Sequence, residues 1–248
     1  MRKKIYIHVA VTLLVSNFVW VSGVHALGSM LPKTPTPENP SPSPQPQPPA
    51  ATTPTPAPVP APESPSSTHT RPLWEGRHAD GAKWTDFVIN KLDLRGTMLT
   101  SVVTQDMNTF CPKFSKFSNR DRKYFWAYLM SAMVRFESNF KPSVTYQENF
   151  KDSDGDFVVS RGLLQLSYES AKGYQCEIRT PQDLHDPYVN LECGMRILDR
   201  WIGRDSKIAG QENGGWRGGA RYWSVLRTTS GSYTKILDYM NQYKECRN

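Results

Sequence analysis

Proline is nearly missing from the longer part of this chain. Sixteen of its 20 prolines lie between Pro32 and Pro72, and only four follow, from Leu73 to Asn248. Long apolar runs are missing too, beyond the first two dozen residues. With 38% hydrophobic residues and a mean hydropathy of −0.56, a multi-span membrane protein is excluded. Histidine is scarce, with only His78 and His185 after residue 72, and no glycine loop followed by lysine occurs. That leaves no basis for a histidine-built metal centre or a phosphate-cradling nucleotide site, so no metal or cofactor is expected. No run rich in lysine or arginine exists to track a phosphate backbone, so nucleic acid is not an expected partner. Aromatic residues, in contrast, make up 11% of the chain, too many for a wholly disordered one.

The uneven proline divides the chain into three parts. Residues 1–26 read as a secretory signal: Arg2-Lys3-Lys4, then a mostly apolar stretch from Ile5 to Val21, then small residues at Val24-His25-Ala26, with cleavage expected after Ala26. An uncleaved anchor is the alternative, but His8, Asn17 and the short apolar length argue against stable membrane insertion. No cysteine follows the segment to carry a lipid. Residues 27–72 are a Pro-rich linker, with Pro-x-Pro and Thr-Pro repeats that favour extended polyproline II. At about 3.1 Å per residue such a spacer spans on the order of 130 Å. Residues 73–248 are then one globular domain, long enough to bury most of its unfolded surface. Of the formal charge of +7, the N-terminus carries three, the linker balances, and the domain keeps about +4. A mildly basic, exported, monomeric domain suits an anionic cell wall, and the expected location is periplasm, wall or medium. Four cysteines, Cys111, Cys176, Cys193 and Cys246, all lie in the domain. In an exported chain they imply two disulfides. The favoured pairs are Cys176–Cys193, a local clip, and Cys111–Cys246, which ties the early domain to its end, although three connectivities are possible.

The domain reads as mainly helical. Ser118 or Asn119 caps a helix over about 120–139, whose stripe runs Trp126, Met130, Met133, Glu137, Phe140. Asp186-Pro187 opens a second, through Leu191, Met195, Leu198 and Ile202. A third is expected over about 220–226 and a fourth over about 233–243. Between the first two, a polar β-branched stretch with the turn Asp152-Ser-Asp-Gly-Asp156 and the strand candidate Phe157-Val158-Val159 predicts one small hairpin.

Glu137 is the anomaly in the apolar stripe. A carboxyl group pressed into apolar surroundings keeps its proton to higher pH, which is what a general acid near neutrality needs. The bland alternative is a helix glutamate paired with Lys141, four residues on, but Pro142 disfavours helical geometry at Lys141.

The words around it narrow the choice. Glu137-Ser138-Asn139-Phe140, Ser160-Arg-Gly162-Leu-Leu-Gln165-Leu166, Asp186-Pro187-x-x-Asn190-Leu and Ala220-Arg-Tyr222 occur in this order. Together they resemble the soluble lytic transglycosylase (SLT) family, akin to goose-type lysozyme, over about residues 118–243. The resemblance implies a lysozyme-like α+β fold, a helical domain with a small β-hairpin beside a cleft. It implies cleavage of the β-1,4 bond between N-acetylmuramic acid and N-acetylglucosamine in peptidoglycan. By the same resemblance Glu137 is the acid/base, Ser138 helps orient it, Ser160 and Gln165 lie near the glycan, and Tyr222 and Tyr233 match the family's two site tyrosines.

Two features depart from the family pattern. Trp223 stands where asparagine is usual. The hairpin is acidic, with Glu148, Asp152, Asp154 and Asp156. It reads as a solvated turn, a weak calcium loop, or the source of a second carboxylate in the cleft, for which Asp154 or Asp156 is the candidate. A second carboxylate would favour hydrolysis over transglycosylation, and an acidic rim would favour a de-N-acetylated, cationic wall. Trp216, flanked by glycines in Gly214-Gly-Trp-Arg-Gly-Gly219, is a candidate for stacking on a sugar face. A non-catalytic wall-binding module is the remaining alternative.

Overall fold

The structure, a computed structural model, describes residues 69–95 and 97–247. The signal assignment (1–26) and residues 27–68 of the linker lie outside the described residues. Among the described residues seven α-helices, α1 (Gly81–Arg95), α2 (Met98–Ser101), α3 (Met107–Phe110), α4 (Asn119–Glu137), α5 (Tyr168–Gly173), α6 (Pro187–Asp205) and α7 (Gly231–Gln242), build one hydrophobic core. The strands are β1 (Thr145–Lys151), β2 (Phe157–Arg161), β3 (Leu166–Ser167), β4 (Ala209–Glu212) and β5 (Gly215–Gly218).

Helix α4 is the axis of the domain. Its start is fixed by a capping box: the Ser118 hydroxyl accepts from the Asp121 N–H, and the Asp121 carboxylate accepts from the Ser118 N–H. From Phe125 to Val134 every residue is buried, so this helix is apolar all round and packs against α1, α2 and α7. Helix α6 starts where Asp186 accepts from the N–H groups of Tyr188 and Val189, with Pro187 in the first turn. It closes the core from the other side.

The expected hairpin is present and larger than read. β1, β2 and β3 form an antiparallel sheet with Tyr146 opposite Ser160 and Ser160 opposite Ser167. The register shifts between Gln147 and Lys151, a bulge that bends β1. A second hairpin, β4–β5, was not expected. Its turn is Asn213-Gly214, both in the left-handed region (φ 50° and 75°), the conformation a two-residue type I′ turn requires.

The helix expected over 220–226 is instead two single 3₁₀ turns, Gly219–Arg221 and Ser224–Leu226, because Trp223 between them is extended. Helix α1, with its buried Trp84, Val88 and Leu92, was also not anticipated. The disulfides are Cys111–Cys246, joining the end of α3 to the C-terminal turn, and Cys176–Cys193, clipping the segment after α5 to α6. The last linker residues are held on the domain: the His69 ring stacks on Tyr124 at 4.0 Å, and Thr70 donates its N–H and hydroxyl to the Glu245 carboxylate.

Candidate active site

Helix α4 ends abruptly, and its last residue is Glu137. Ser138 is the C-cap, and Asn139 and Phe140 both turn into the left-handed region (φ 51° and 63°). That reversal is held by Phe140, 4% exposed in the core, and by Arg135, which donates to the Asn139 side chain at 2.6 Å. Glu137 is thus left at the rim of the core, on the wall of a cleft of about 480 Å³. No cation forms an ion pair with it among the described residues, so the pairing with Lys141 is not made. Desolvation, and then the charge of Glu148, push its pKa from 4.5 up to about 8. At neutral pH Glu137 therefore holds its proton.

Facing it across the cleft is the β1–β2 hairpin. On β1, Glu148 and Phe150 line the cleft, and because the register shifts between Gln147 and Lys151, the adjacent Lys151 and Asp152 line it as well. Ser160, on β2, donates its hydroxyl to Glu148 at 2.8 Å and is itself buried. The cleft thus holds two carboxyl groups whose charges interact, one at a helix end and one on a strand.

The floor is the segment from Gly162 to Gln165. Gly162 (φ 76°) is obligatory here, because a Cβ would come within 2.1 Å of the Leu184 carbonyl and 2.4 Å of the Asn190 side chain. Asn190, fully buried on α6, accepts from the Leu164 N–H and donates to the carbonyls of Arg161 and Leu184. Gln165, itself left-handed (φ 49°), lines the cleft and donates to the carbonyls of Val144 and Gly162. Trp223 also lines the cleft, and its indole N–H donates to the Leu164 carbonyl at 2.9 Å, which ties it to the floor segment. Tyr222 lines the cleft, its hydroxyl accepting from the Ser167 N–H; burial raises its pKa, so it stays neutral.

Other expected site residues lie elsewhere. Asp154 and Asp156 are exposed at the tip of the hairpin, outside the cleft. Their backbone N–H groups donate to Asp152, whose carboxylate closes the turn. Tyr233, in the first turn of α7, packs edge-on against Phe110 and does not line the cleft. Ser138 is buried behind Glu137, its hydroxyl donating to the Val134 carbonyl, and serves the helix end rather than the cleft surface. Trp216 is half-buried on β5 and faces Arg227 rather than open cleft. Among the described residues no group of three histidine, cysteine, aspartate or glutamate side chains is placed to hold a metal.

Sequence reasoning named Glu148 only as one acid of the hairpin. Its parity with Ser160 was the usable signal, once Thr145–Lys151 is read as the partner strand. It missed Glu169 and Arg227, which also line the cleft.

A family model described as the transglycosylase SLT domain matches residues 115–210, which hold Glu137, the hairpin and the floor. The solved structure of Bd0314 DslA, wild-type form 2, superposes with a TM-score of 0.69 at 50% identity, covering 71% of this chain and 97% of that one. Two variants of DslA, each with one glutamate replaced by glutamine, superpose with TM-scores of 0.71 and 0.69 at 49% and 50% identity. They cover 73% and 71% of this chain and 100% and 97% of theirs. No curated protein sequence matches the chain significantly. At 50% identity over 71% of its own length and 97% of a solved relative's, the chain belongs to the transglycosylase SLT-domain family of peptidoglycan-cleaving proteins.

Proposed function

We propose that the cleft hydrolyses the β-1,4 bond between N-acetylmuramic acid and N-acetylglucosamine residues, with Glu137 as general acid and Glu148 as the second carboxyl group. The observation that carries this reading is the pairing itself: Glu148 lines the same cleft as Glu137, and its charge helps keep Glu137 protonated. Protonated Glu137 donates to the glycosidic oxygen, and positive charge develops at the muramic C1. Glu148, oriented by the Ser160 hydroxyl, stabilises that charge and takes a proton from the attacking water. The two glutamine-substituted positions in DslA lie 11 residues apart in that protein, as Glu137 and Glu148 do here.

With Glu137 protonated at neutral pH, the cleft walls still carry Glu148, Asp152 and Glu169 against Lys151 and Arg227. An acidic cleft attracts glycan whose sugars have lost acetyl groups and carry free amines. Such a substrate has no acetyl group to attack C1 and depends on a second carboxylate. We therefore assign a preference for de-N-acetylated strands. The one-carboxyl alternative is transglycosylation, in which the substrate's acetyl group attacks and ionised Glu137 then takes the C6 proton. Mass spectrometry of the products separates the two, since a hydrolysed end is one water heavier than an anhydro end. Reducing ends from the parent, lost in Glu148→Gln, support hydrolysis. Anhydro ends that persist in Glu148→Gln overturn it, and equal cleavage of acetylated and deacetylated wall overturns the substrate preference.

A further inference from the structure

Arg227 is a cation inside an acidic cleft, and its setting is specific. The turn that carries it is fixed by two backbone bonds, from the Arg227 N–H to the Ser224 carbonyl and from the Ser230 N–H to the Arg227 carbonyl. Its Nε donates to the Ala220 carbonyl at 3.3 Å. Its guanidinium carbon sits 5.4 Å from the centre of the Trp216 ring. Among the described residues no carboxylate forms an ion pair with it, although four acids line the same cleft. The guanidinium is therefore held at one nitrogen and backed by an indole, while its two terminal nitrogens have no protein partner among the described residues. Five N–H donors in a planar fork match a carboxylate in two-point geometry, and an arginine held in place loses little freedom on binding one.

Trp216 gains a role from the same contact. It sits on β5, opposite Gln211 of β4, in the hairpin whose Asn213-Gly214 turn fixes the register. The ring is half-buried against the core and presents its face to Arg227 rather than to the cleft. A ring that stacks on a guanidinium cannot offer that face to a sugar as well.

We propose that Arg227 is a carboxylate-binding subsite of the cleft, and that Trp216 is the positioning residue that holds its guanidinium in place. The proposal rests on the reading of the cleft as a glycan-strand site and names what else that strand must carry. Muramic residues bear a lactyl side chain that ends in a carboxylate or continues into a stem peptide with carboxylates of its own, so the ligand is a carboxylate from one of these two sources. The consequence is a cleft that reads two charges on one strand: sugar amines at the acidic wall and a carboxylate at Arg227. A purely cationic glycan would satisfy only the first.

The test uses the whole chain and three wall preparations: intact strands, strands stripped of stem peptides by an amidase, and strands whose carboxylates are converted to amides with carbodiimide in excess ammonia. Arg227→Ala is expected to raise the half-saturating concentration of intact strands about tenfold, the scale of one charge-assisted hydrogen-bonded pair, while turnover at saturation changes less than about twofold. Amidation is expected to raise it for the parent by a similar factor and to add nothing for Arg227→Ala. Stripping frees lactyl carboxylates that the stem had held as amides, so stripped strands that the parent binds more tightly than intact ones assign the ligand to the lactyl carboxylate, and stripped strands that it binds more weakly assign the stem, with amidation compared on whichever preparation binds more tightly. Arg227→Lys keeps charge without the fork and is expected to fall between parent and alanine variant. Trp216→Leu is expected to raise the half-saturating concentration severalfold in the parent and not at all in the Arg227→Ala background. A parent indifferent to amidation, or an Arg227→Ala variant as sensitive to it as the parent, overturns the subsite. A Trp216→Leu variant that melts earlier but binds normally overturns the positioning role. If the parent releases no soluble fragments from any wall, it is the functional reading that has failed, not this assignment.

Discussion

Replacing Glu137 with glutamine separates chemistry from stability in one substitution. In the unfolded chain this carboxyl group titrates near 4.5, and in the folded cleft it is pushed up to about 8. Folding at pH 7 therefore requires a proton to be taken up. The sign follows: stability linked to this group is fully present below pH 4.5 and is lost as pH rises through about 8. At pH 7 the cost amounts to about 3 kcal/mol. Glutamine has nearly the same shape and no charge, so it avoids that cost. Glu137→Gln is expected to melt about 6–10 °C above the parent at pH 7, and to match it below pH 4.5. Meanwhile the rate of wall solubilisation is expected to fall about 10²–10⁴-fold, the usual contribution of a general acid. Thermal unfolding followed by circular dichroism from pH 4 to 9, beside release of soluble muropeptides, measures both. Parallel melting curves for parent and variant across that range refute the desolvation argument. Unchanged solubilisation refutes the role of Glu137 and leaves a wall-binding module.

For the parent, cleavage is expected to decline as pH rises through about 8, where Glu137 gives up its proton; a pH–rate profile that stays flat to pH 9 contradicts this. Asn190→Ala removes three hydrogen bonds at a fully buried position and orphans the Leu164 N–H, so urea unfolding is expected to show a loss of about 2–4 kcal/mol. The two disulfides are expected to differ in worth, since Cys111–Cys246 closes 135 residues and Cys176–Cys193 closes 17. The paired serine variants should lose about 5 and about 3 kcal/mol on the loop-entropy account, read by the same unfolding assay.

Much of the architecture was legible because it rests on local signals. The Ser118 cap and the Asp186-Pro187 start act within one or two turns and both reappear in the fold, whereas the helix expected to about 139 stops at Glu137, so that Phe140 of the expected stripe lies past its end. What was not legible depends on partners distant in sequence. Helix α1, by contrast, carries a local signal that the motif-led reading passes over: its buried Trp84, Val88 and Leu92 fall four residues apart, the spacing of one helical face. The span 220–226 has helical composition, yet Trp223 is drawn out of a helix by its bond to the Leu164 carbonyl, 59 residues away. The β4–β5 hairpin is carried by local turn chemistry, since Asn213-Gly214 is the strongest short hairpin signal, here between strands too short and too glycine-rich to show an alternating pattern. At the site, position in the stripe singled out Glu137. Asp154 and Asp156 lie outside the cleft because they sit at the exposed tip of the hairpin, whereas Glu148 on β1 and Asp152, whose carboxylate closes the turn, line it.

The placement of the two glutamates has a physical logic of its own. The proposed general acid must be dry enough to hold its proton, and Glu137 stands at the end of a helix that is buried on every side from Phe125 to Val134. The proposed hydrolysis asks for a second carboxyl group in the same cleft, and Glu148, on β1 with Ser160 donating to it, lines that cleft. Helix end and hairpin are joined by only seven residues, Ser138–Val144, whose backbone turns through two left-handed positions. The acid's raised pKa and its abrupt helix end are unfavourable for folding taken alone. They persist because the core behind Phe140, the Asn190 hub beneath the floor and the long-range disulfide supply the stability elsewhere. Substitutions in that supporting shell should therefore change cleavage and melting together, whereas substitutions at Glu148 or Arg227, which line the cleft, should change cleavage far more than melting.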